Sequence, residues 1–157
     1  AFGIPAARPG HRTEVMFRAG GYAYVYLIYG MYHCFNVVAG PEGFPEAILI
    51  RALEPLSGVE LMERHRGTRD ARKLCSGPGK LCQALRISRE QNGTDLTGET
   101  LFLTEGELIP DARVAATPRI NVDYAGEAAG YPYRFAVKDS PFVSTRRFLG
   151  KRASVDA

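Results

Sequence analysis

The sequence has few residues of the kinds that hold metals or form disulfides. It contains three cysteines and three histidines among 157 residues, namely Cys34, Cys75, Cys82, His11, His33 and His65. The cysteines lack the close CxxC spacing of a zinc site and the histidines are scattered, so we expect no structural metal and no cofactor. An odd, small number of cysteines indicates reduced thiols in a cytosolic protein. We therefore expect these cysteines to be small buried hydrophobic residues.

The sequence also lacks a long apolar run. The longest, around residues 47–50, is far too short to span a bilayer, so no membrane partner is expected. The first five residues have neither the basic end nor the apolar block of a secretory signal. We expect a cytoplasmic, nucleoid-associated protein, or a nuclear one if the source is eukaryotic. With 157 residues, 45% of them hydrophobic, the chain can bury one sizeable core.

Neither sign of charge is in large excess. Twenty basic residues face 17 acidic ones, and the net charge of +3 permits a nucleic-acid partner without proving one. The basic residues are crowded into two segments, 64–80 and 146–152. Such runs are equally typical of a solvated surface, so the charge pattern leaves both interpretations open.

Side-chain periodicity predicts an antiparallel sheet in the first third of the chain. Residues 22–29 alternate aromatic and aliphatic side chains, which favours a strand. A tight turn at 30–31 would then return the chain as a second strand over 32–38. Further strands are expected at 47–52, 100–103, 113–116 and 133–137.

Two helices are expected between these strands. Residues 57–60 have the Ser-x-x-Glu pattern of a capping box, which predicts a helix that runs to about Arg66. A second helix is expected over 79–85. Hairpins separated by helices predict an α+β fold. We expect a single domain over 1–149 and a flexible tail over 150–157.

The tyrosines of the first hairpin permit two interpretations. Tyr22, Tyr24 and Tyr26 share one face of their strand because side chains alternate with a period of two. Such a face is most often packed against other residues, but a tyrosine ladder beside a turn can also stack on nucleobases. Tyr29 is expected at the hairpin tip, where an exposed aromatic side chain can enter a minor groove as a wedge.

Two polar residues lie among apolar ones and need partners. Asn36 is either a structural amide bonded to backbone or a group that reads the edge of a ligand. Arg51 ends an apolar strand, and a buried guanidinium must be paired, either with Glu54 or with a ligand anion or ordered water. The segment SGPGK at 76–80 offers free amide groups at a helix start beside Lys80, which is a reasonable phosphate site without the P-loop spacing.

Several longer motifs together resemble the alkyladenine (3-methyladenine) DNA glycosylase family. They occur in the family's order and cover most of the chain from about residue 12 to 144. The matching motifs are YVYLIYGMY at 24–32, CFN at 34–36, LIRALEP at 49–55, LCSGPGKLCQAL at 74–85, AGE at 125–127 and SPFVS at 140–144.

The resemblance implies a compact α+β domain with a curved, antiparallel-rich sheet, surrounding helices and a protruding hairpin that intercalates into DNA. Tyr29 matches the residue that takes the space of the flipped nucleotide, and Tyr26 matches a pocket wall that stacks on the extruded base. Asn36 matches the residue that disfavours guanine by a clash with its 2-amino group. The remaining matches are Leu49 as a pocket residue, Arg51 and the carbonyl of Ile120 as holders of the attacking water, and Met31, Lys80 and Arg12 as DNA contacts.

The resemblance further implies a monomeric base-excision repair hydrolase that acts on duplex DNA containing damaged purines. The implied substrates are 3-methyladenine, 7-methylguanine, hypoxanthine and ethenoadenine, and the enzyme would leave an abasic site without cutting the strand. The family's general-base glutamate lies in an ETEAY-like motif that precedes the match to Ala1 and has no copy within these 157 residues. Two alternatives therefore stand beside a glycosylase: an inactive DNA-binding fragment or remnant, and a small-molecule enzyme that uses the aromatic pocket.

Overall fold

The structure is a computed structural model that describes residue 10 and residues 13–144. Arg12 and the predicted tail at 150–157 lie outside the described residues. The architecture is α+β with two antiparallel sheets and accompanying helices, which confirms the predicted fold class. Residue contacts divide the chain into two compact units, Ala1–Glu105 and Gly106–Ala157. Within the described part, no helix is long and apolar enough to cross a membrane.

A three-stranded sheet forms the centre of the first unit. Its strands are β1 (Ala23–Ile28), β2 (Tyr32–Val38) and β3 (Ala47–Leu49), in the order β1-β2-β3 with antiparallel pairing throughout. The antiparallel pairing of β1 with β2 confirms the predicted hairpin. The hairpin forms here because β-branched and aromatic residues suit a half-buried pleated surface. The third strand is shorter than predicted. Beyond it, the Leu53 amide donates to the carbonyl of Cys75 at 3.2 Å, and this bond draws the chain away from the sheet.

Three helices pack beside this sheet. They are α1 (Val59–Arg66), α2 (Ala71–Leu74) and α3 (Pro78–Leu85), and α3 lies against the central strand β2. All three cysteines are buried free thiols, as predicted. The helices supply four buried core residues, Leu74, Leu81, Cys82 and Ala84. Burying a leucine-sized side chain contributes roughly 1.5–3 kcal/mol to folding. The buried core consists of Ala23, Val25, Phe35, Leu74, Cys75, Leu81, Cys82, Ala84, Ile87 and Leu96.

Three predictions of local structure were wrong or incomplete. The capping box at 57–60 is absent, because α1 is capped by Gly58 at φ +67° without any side-chain hydrogen bond. The strand expected at 100–103 is irregular backbone. Helix α2 was not predicted, since four residues are too few to show a period; its N-cap Asp70 accepts a hydrogen bond from the Arg72 amide.

The second unit contains a small hairpin. Strands β4 (Val114–Thr117) and β5 (Arg134–Val137) pair antiparallel, which confirms the strands predicted there within one residue at each end. A 3₁₀ segment, Asp123–Gly130, connects them with a kink at Gly126. Arg134 is buried, and its Nη1 donates to Oγ1 of Thr117 at 3.0 Å, so the charged group is held between the two strands.

Candidate functional site

The tip of the first hairpin carries two exposed apolar side chains. Tyr29 and Gly30 both have positive φ, +52° and +71°, and the Met31 amide donates to the carbonyl of Ile28 at 3.2 Å. The left-handed region is sparsely populated by residues other than glycine, so the Tyr29 backbone is maintained by the turn around it. Tyr29 is 82% exposed and Met31 67% exposed. The turn therefore presents an aromatic ring and a thioether to solvent.

The tyrosines that share one face of β1 become less buried toward the hairpin tip. The ring centroids of Tyr24 and Tyr26 lie 5.4 Å apart, which confirms that they share a face. Tyr24 is buried against Val15 and Val38. Toward the tip, Tyr26 is only half-buried. The packed-face interpretation thus holds for Tyr24, while Tyr26 keeps surface that a ligand can contact.

Asn36 is held by backbone groups of its own hairpin. Its Nδ2 donates to the carbonyl of Tyr24 at 3.0 Å and, more weakly, to that of Cys34 at 3.4 Å. The residue is 6% exposed and stands opposite both Tyr24 on β1 and Leu49 on β3. The structural interpretation is therefore confirmed for the amide nitrogen. Since the nitrogen is engaged, the orientation of the whole amide group is fixed.

Cys34 lies near two predicted site residues. They are Tyr26, expected to form a pocket wall, and Arg51, expected to hold the water. Cys34 is the direct cross-strand partner of Tyr26. Burial raises the pKa of the Cys34 thiol, while hydrogen bonding with Tyr26 and the positive charge of Arg51 act in the opposite direction. Cys34 thus lies beside Tyr26 and within electrostatic range of Arg51. Sequence reasoning treated it only as a buried hydrophobe.

Arg51 lies just beyond the end of β3 and differs from the expectation. Its side chain is exposed rather than buried, and the described residues include no ion pair between it and Glu54. The chain around it is well anchored: the Ile50 amide donates to the carbonyl of Phe35 at 3.0 Å. The guanidinium is therefore available to an external anion or a polarised water.

The segment at 76–80 forms a helix start, as predicted. Gly77 is the N-cap of α3 and Pro78 occupies its first turn, where a missing N–H costs nothing. The amides of the first turn have no partner within the helix, and the helix dipole makes this end attractive to anions. Lys80 is exposed, and a methyl group placed on Gly77 would lie 3.6 Å from its Cδ. The aliphatic stem of Lys80 thus passes over the helix start.

Tyr32 contacts this helix start, which sequence reasoning missed. It opens β2 immediately after the hairpin tip and is 52% exposed. A methyl group on Gly79 would lie only 3.0 Å from Cδ1 of Tyr32 and 3.2 Å from its Cβ and Cγ. The ring therefore rests directly on the backbone of α3. The available signal was the glycine between Pro78 and Lys80, which sequence reasoning took only as part of a helix start.

Three of the six Lys and Arg residues of the 64–80 segment are engaged in structural contacts. Arg66 donates from Nε to the carbonyl of Leu74 at 3.1 Å and is also hydrogen bonded to Gln83. Arg72 and Lys73 both form ion pairs with Asp70 at 3.3 Å. This part of the charge pattern therefore fits the solvated-surface interpretation. An open depression of about 410 Å³ nearby has mixed charge and is lined by Glu60, Glu63, Arg64, Gly67, Thr68 and Arg69.

The structure brings together most, but not all, of the predicted site residues. Tyr26, Tyr29, Met31 and Asn36 lie on one hairpin, with Leu49 paired to Asn36. The chain around Arg51 is anchored on both sides. The Ile50 amide donates to Phe35 of β2, and the Leu53 amide donates to Cys75, which lies just ahead of α3. Ile120 is half-buried and belongs to the second unit. Among the described residues, no group of three His, Cys, Asp or Glu side chains is suited to a metal ion.

Comparison with known proteins identifies the family. The model of the methylpurine-DNA glycosylase family matches residues 5–141. The chain is 49% identical over 150 residues to a candidate 3-methyladenine DNA glycosylase of Bacillus cytotoxicus, covering 87% of this chain and 72% of that protein. It is 50% identical over 148 residues to one of Bacillus cereus strain G9842, covering 86% and 71%, and 47% identical over 143 residues to one of Alkaliphilus oremlandii, covering 86% and 70%.

The hairpin, the Arg51 loop and the helix start thus define an α+β domain of the DNA glycosylase class. The chain belongs to the methylpurine-DNA glycosylase family.

Proposed function

We propose that this protein excises alkylated or deaminated purines from duplex DNA after flipping them out of the helix. The observation that carries the proposal is the exposed Tyr29 at a tightly constrained hairpin tip. Inserted into the minor groove, its ring fills the space of the extruded nucleotide and offsets part of the unstacking cost, which is a few kcal/mol. Met31 widens the inserted surface, and Lys80 with the α3 amides holds a backbone phosphate.

The extruded purine stacks on the exposed surface of Tyr26. Behind it, the amide of Asn36 is fixed by its bonds to the hairpin backbone. A group that cannot move rejects a base that carries an extra amino substituent, whereas a freely rotating amide would yield to it. Asn36 therefore acts against normal guanine, and Leu49 on the neighbouring strand completes the apolar side of the pocket.

Base release is a hydrolysis. The oxygen of a water molecule bonds to C1′ of the sugar, the bond from C1′ to the purine nitrogen breaks, and the base leaves with that electron pair. An alkylated purine already carries positive charge, so it leaves as a neutral base, whereas a neutral deaminated purine takes up a proton from solvent as it leaves. Arg51 orients the water, and a carboxylate accepts its proton and stabilises the sugar cation. We assign that carboxylate to the ETEAY-like motif of the family, and to no residue of the 157.

A non-catalytic DNA-binding protein is the second candidate, because the exposed hairpin tip by itself provides for DNA binding. The two functions differ in one measurement, release of hypoxanthine or ethenoadenine from a labelled duplex by this 157-residue chain. Robust release contradicts the non-catalytic function and requires a carboxylate within the chain. Absence of release, together with tight binding to a duplex that contains an abasic-site analogue, supports it.

The wedge is tested by Tyr29→Ser on the same abasic-site duplex. We expect affinity to fall by about fivefold to 150-fold, because the lost ring contributes stacking worth roughly 1–3 kcal/mol. Tyr124→Ser is the matched control, since Tyr124 is 88% exposed and lies in the second unit. Equal affinity of Tyr29→Ser and wild type would contradict the wedge. Binding that does not change with salt concentration would instead favour the small-molecule enzyme.

A further inference from the structure

Tyr32 stands between the hairpin tip and the start of α3. It is the cross-strand partner of Ile28, so it closes the turn that carries Tyr29. Its ring also rests on Gly79, where a methyl group would meet three ring-side atoms of Tyr32 at 3.0 to 3.2 Å. Such distances are tighter than nine in ten real Cβ contacts, so the Tyr32 side chain would have to move by a few tenths of an ångström.

The connection from Tyr32 to Tyr29 is short and stiff. The turn has three residues, two of them in the left-handed region, and it is closed by the bond from the Met31 amide to Ile28. A displacement of the Tyr32 backbone therefore moves Tyr29 with it. On the other side, Gly79 lies within the first turn of α3 and immediately precedes Lys80.

We propose that Tyr32 is a positioning residue that sets the spacing between the Tyr29 wedge and the phosphate-holding start of α3. This inference rests on the proposed function. DNA presents its phosphates at fixed intervals, so a wedge and a cation engage together only at the correct separation. Glycine at position 79 lets the ring approach the helix backbone, because a Cβ there would push the ring away by a few tenths of an ångström.

A purely structural role makes different predictions. Tyr32 is half-exposed and lies outside the buried core, so its packing contributes little to global stability. Replacement of Gly79 by alanine normally stabilises a helix by up to about 1 kcal/mol. If Tyr32 merely packs, Gly79→Ala changes the denaturation midpoint and leaves DNA binding alone. If Tyr32 positions the wedge, binding falls while the midpoint changes little.

The test measures the affinity of four variants for an abasic-site duplex over a range of salt concentrations, together with their urea midpoints. Tyr32→Phe keeps the ring and should bind like wild type. Tyr32→Ala and Gly79→Ala should each bind about tenfold to a hundredfold more weakly. The salt dependence of both should decrease by about one phosphate contact, a slope change near 0.9. Gly130→Ala is the control, because a methyl group there has no neighbour within 4 Å.

The double variant Tyr32→Ala/Gly79→Ala gives the sharpest outcome. Both changes remove one contact, so the losses should not add, and the double variant should bind about as weakly as either single variant. Additive losses, or a fallen midpoint with unchanged affinity and salt slope, would overturn the inference. If Tyr29→Ser weakens binding but Tyr32→Ala does not, the inference fails alone; if neither weakens it, the proposed wedge fails as well.

Discussion

Replacement of Asn36 by aspartate should destabilise the protein severely. In the native structure, Nδ2 of Asn36 donates to the Tyr24 carbonyl at 3.0 Å in a site that is 6% exposed. The substitution puts a carboxylate oxygen in place of that donor, facing a carbonyl oxygen. The buried carboxylate oxygen then has no donor opposite it, which costs about 1–3 kcal/mol. Burial of an uncompensated charge brings the total to about 3–5 kcal/mol.

A loss of this size is a large part of the stability of an ordinary domain, about 5–15 kcal/mol. Urea denaturation followed by circular dichroism measures it, and the eight tyrosines provide a second optical probe in a chain without tryptophan. Asn36→Ala should lose only the hydrogen-bond part, about 1–3 kcal/mol. Asn121→Asp makes the same chemical change at an exposed left-handed position and should stay within about 0.5 kcal/mol of wild type.

The reasoning is refuted if Asn36→Asp unfolds within about 0.5 kcal/mol of the Asn121→Asp control. That result would mean that the amide bonds to the hairpin backbone do not hold in solution. Asn36 would then be free to rotate, and the argument that its fixed amide rejects guanine would fail with it.

Two further predictions concern the thiols. Cys34→Ala removes the thiol of the cross-strand neighbour of Tyr26 and should weaken binding of a flipped-base duplex about threefold to tenfold, whereas Cys34→Ser keeps a hydrogen-bonding group and should retain most of the affinity; equal losses would show that this neighbour does not orient Tyr26. Burial raises the pKa of the Cys82 thiol to about 12, and the pKa values of the Cys34 and Cys75 thiols are raised as well. The stability provided by neutral thiols is complete below their ordinary pKa and is lost as the pH rises toward about 12. Urea midpoints measured across the alkaline range should therefore fall, and less steeply for Cys82→Ala; a flat profile contradicts the burial of the thiols.

Local patterns predicted the elements that are defined by neighbours in the chain. The alternation along residues 22–38 was enough for the β1–β2 hairpin, because strand periodicity requires no knowledge of the partner. Helix α3 followed from the Pro-Gly start and the apolar residues after it. The tyrosine face, the exposed tip at Tyr29 and the buried free cysteines were all predicted correctly from residue type and spacing.

Features that depend on distant residues were mispredicted or missed. Arg51 was expected to be buried because the strand before it is apolar, yet β3 ends at Leu49 and its side chain reaches solvent. Ser57 has the chemistry of an N-cap, but the entry to α1 puts Gly58 in that position. Sequence reasoning weighs each residue against its neighbours, and these outcomes were decided by where the chain turns in space.

The sequence alone determined the family and the hairpin, because these depend on motif order and on side-chain alternation. The wedge and pocket roles of the hairpin residues stay predictions. Only the tertiary structure decided how these residues are held. The Asn36 amide is fixed by Tyr24, twelve residues away. Tyr32 rests on Gly79 of a helix that no local pattern connects to the hairpin. The physical reason is that contacts between segments depend on how helices and strands pack, and packing is a property of the folded chain as a whole.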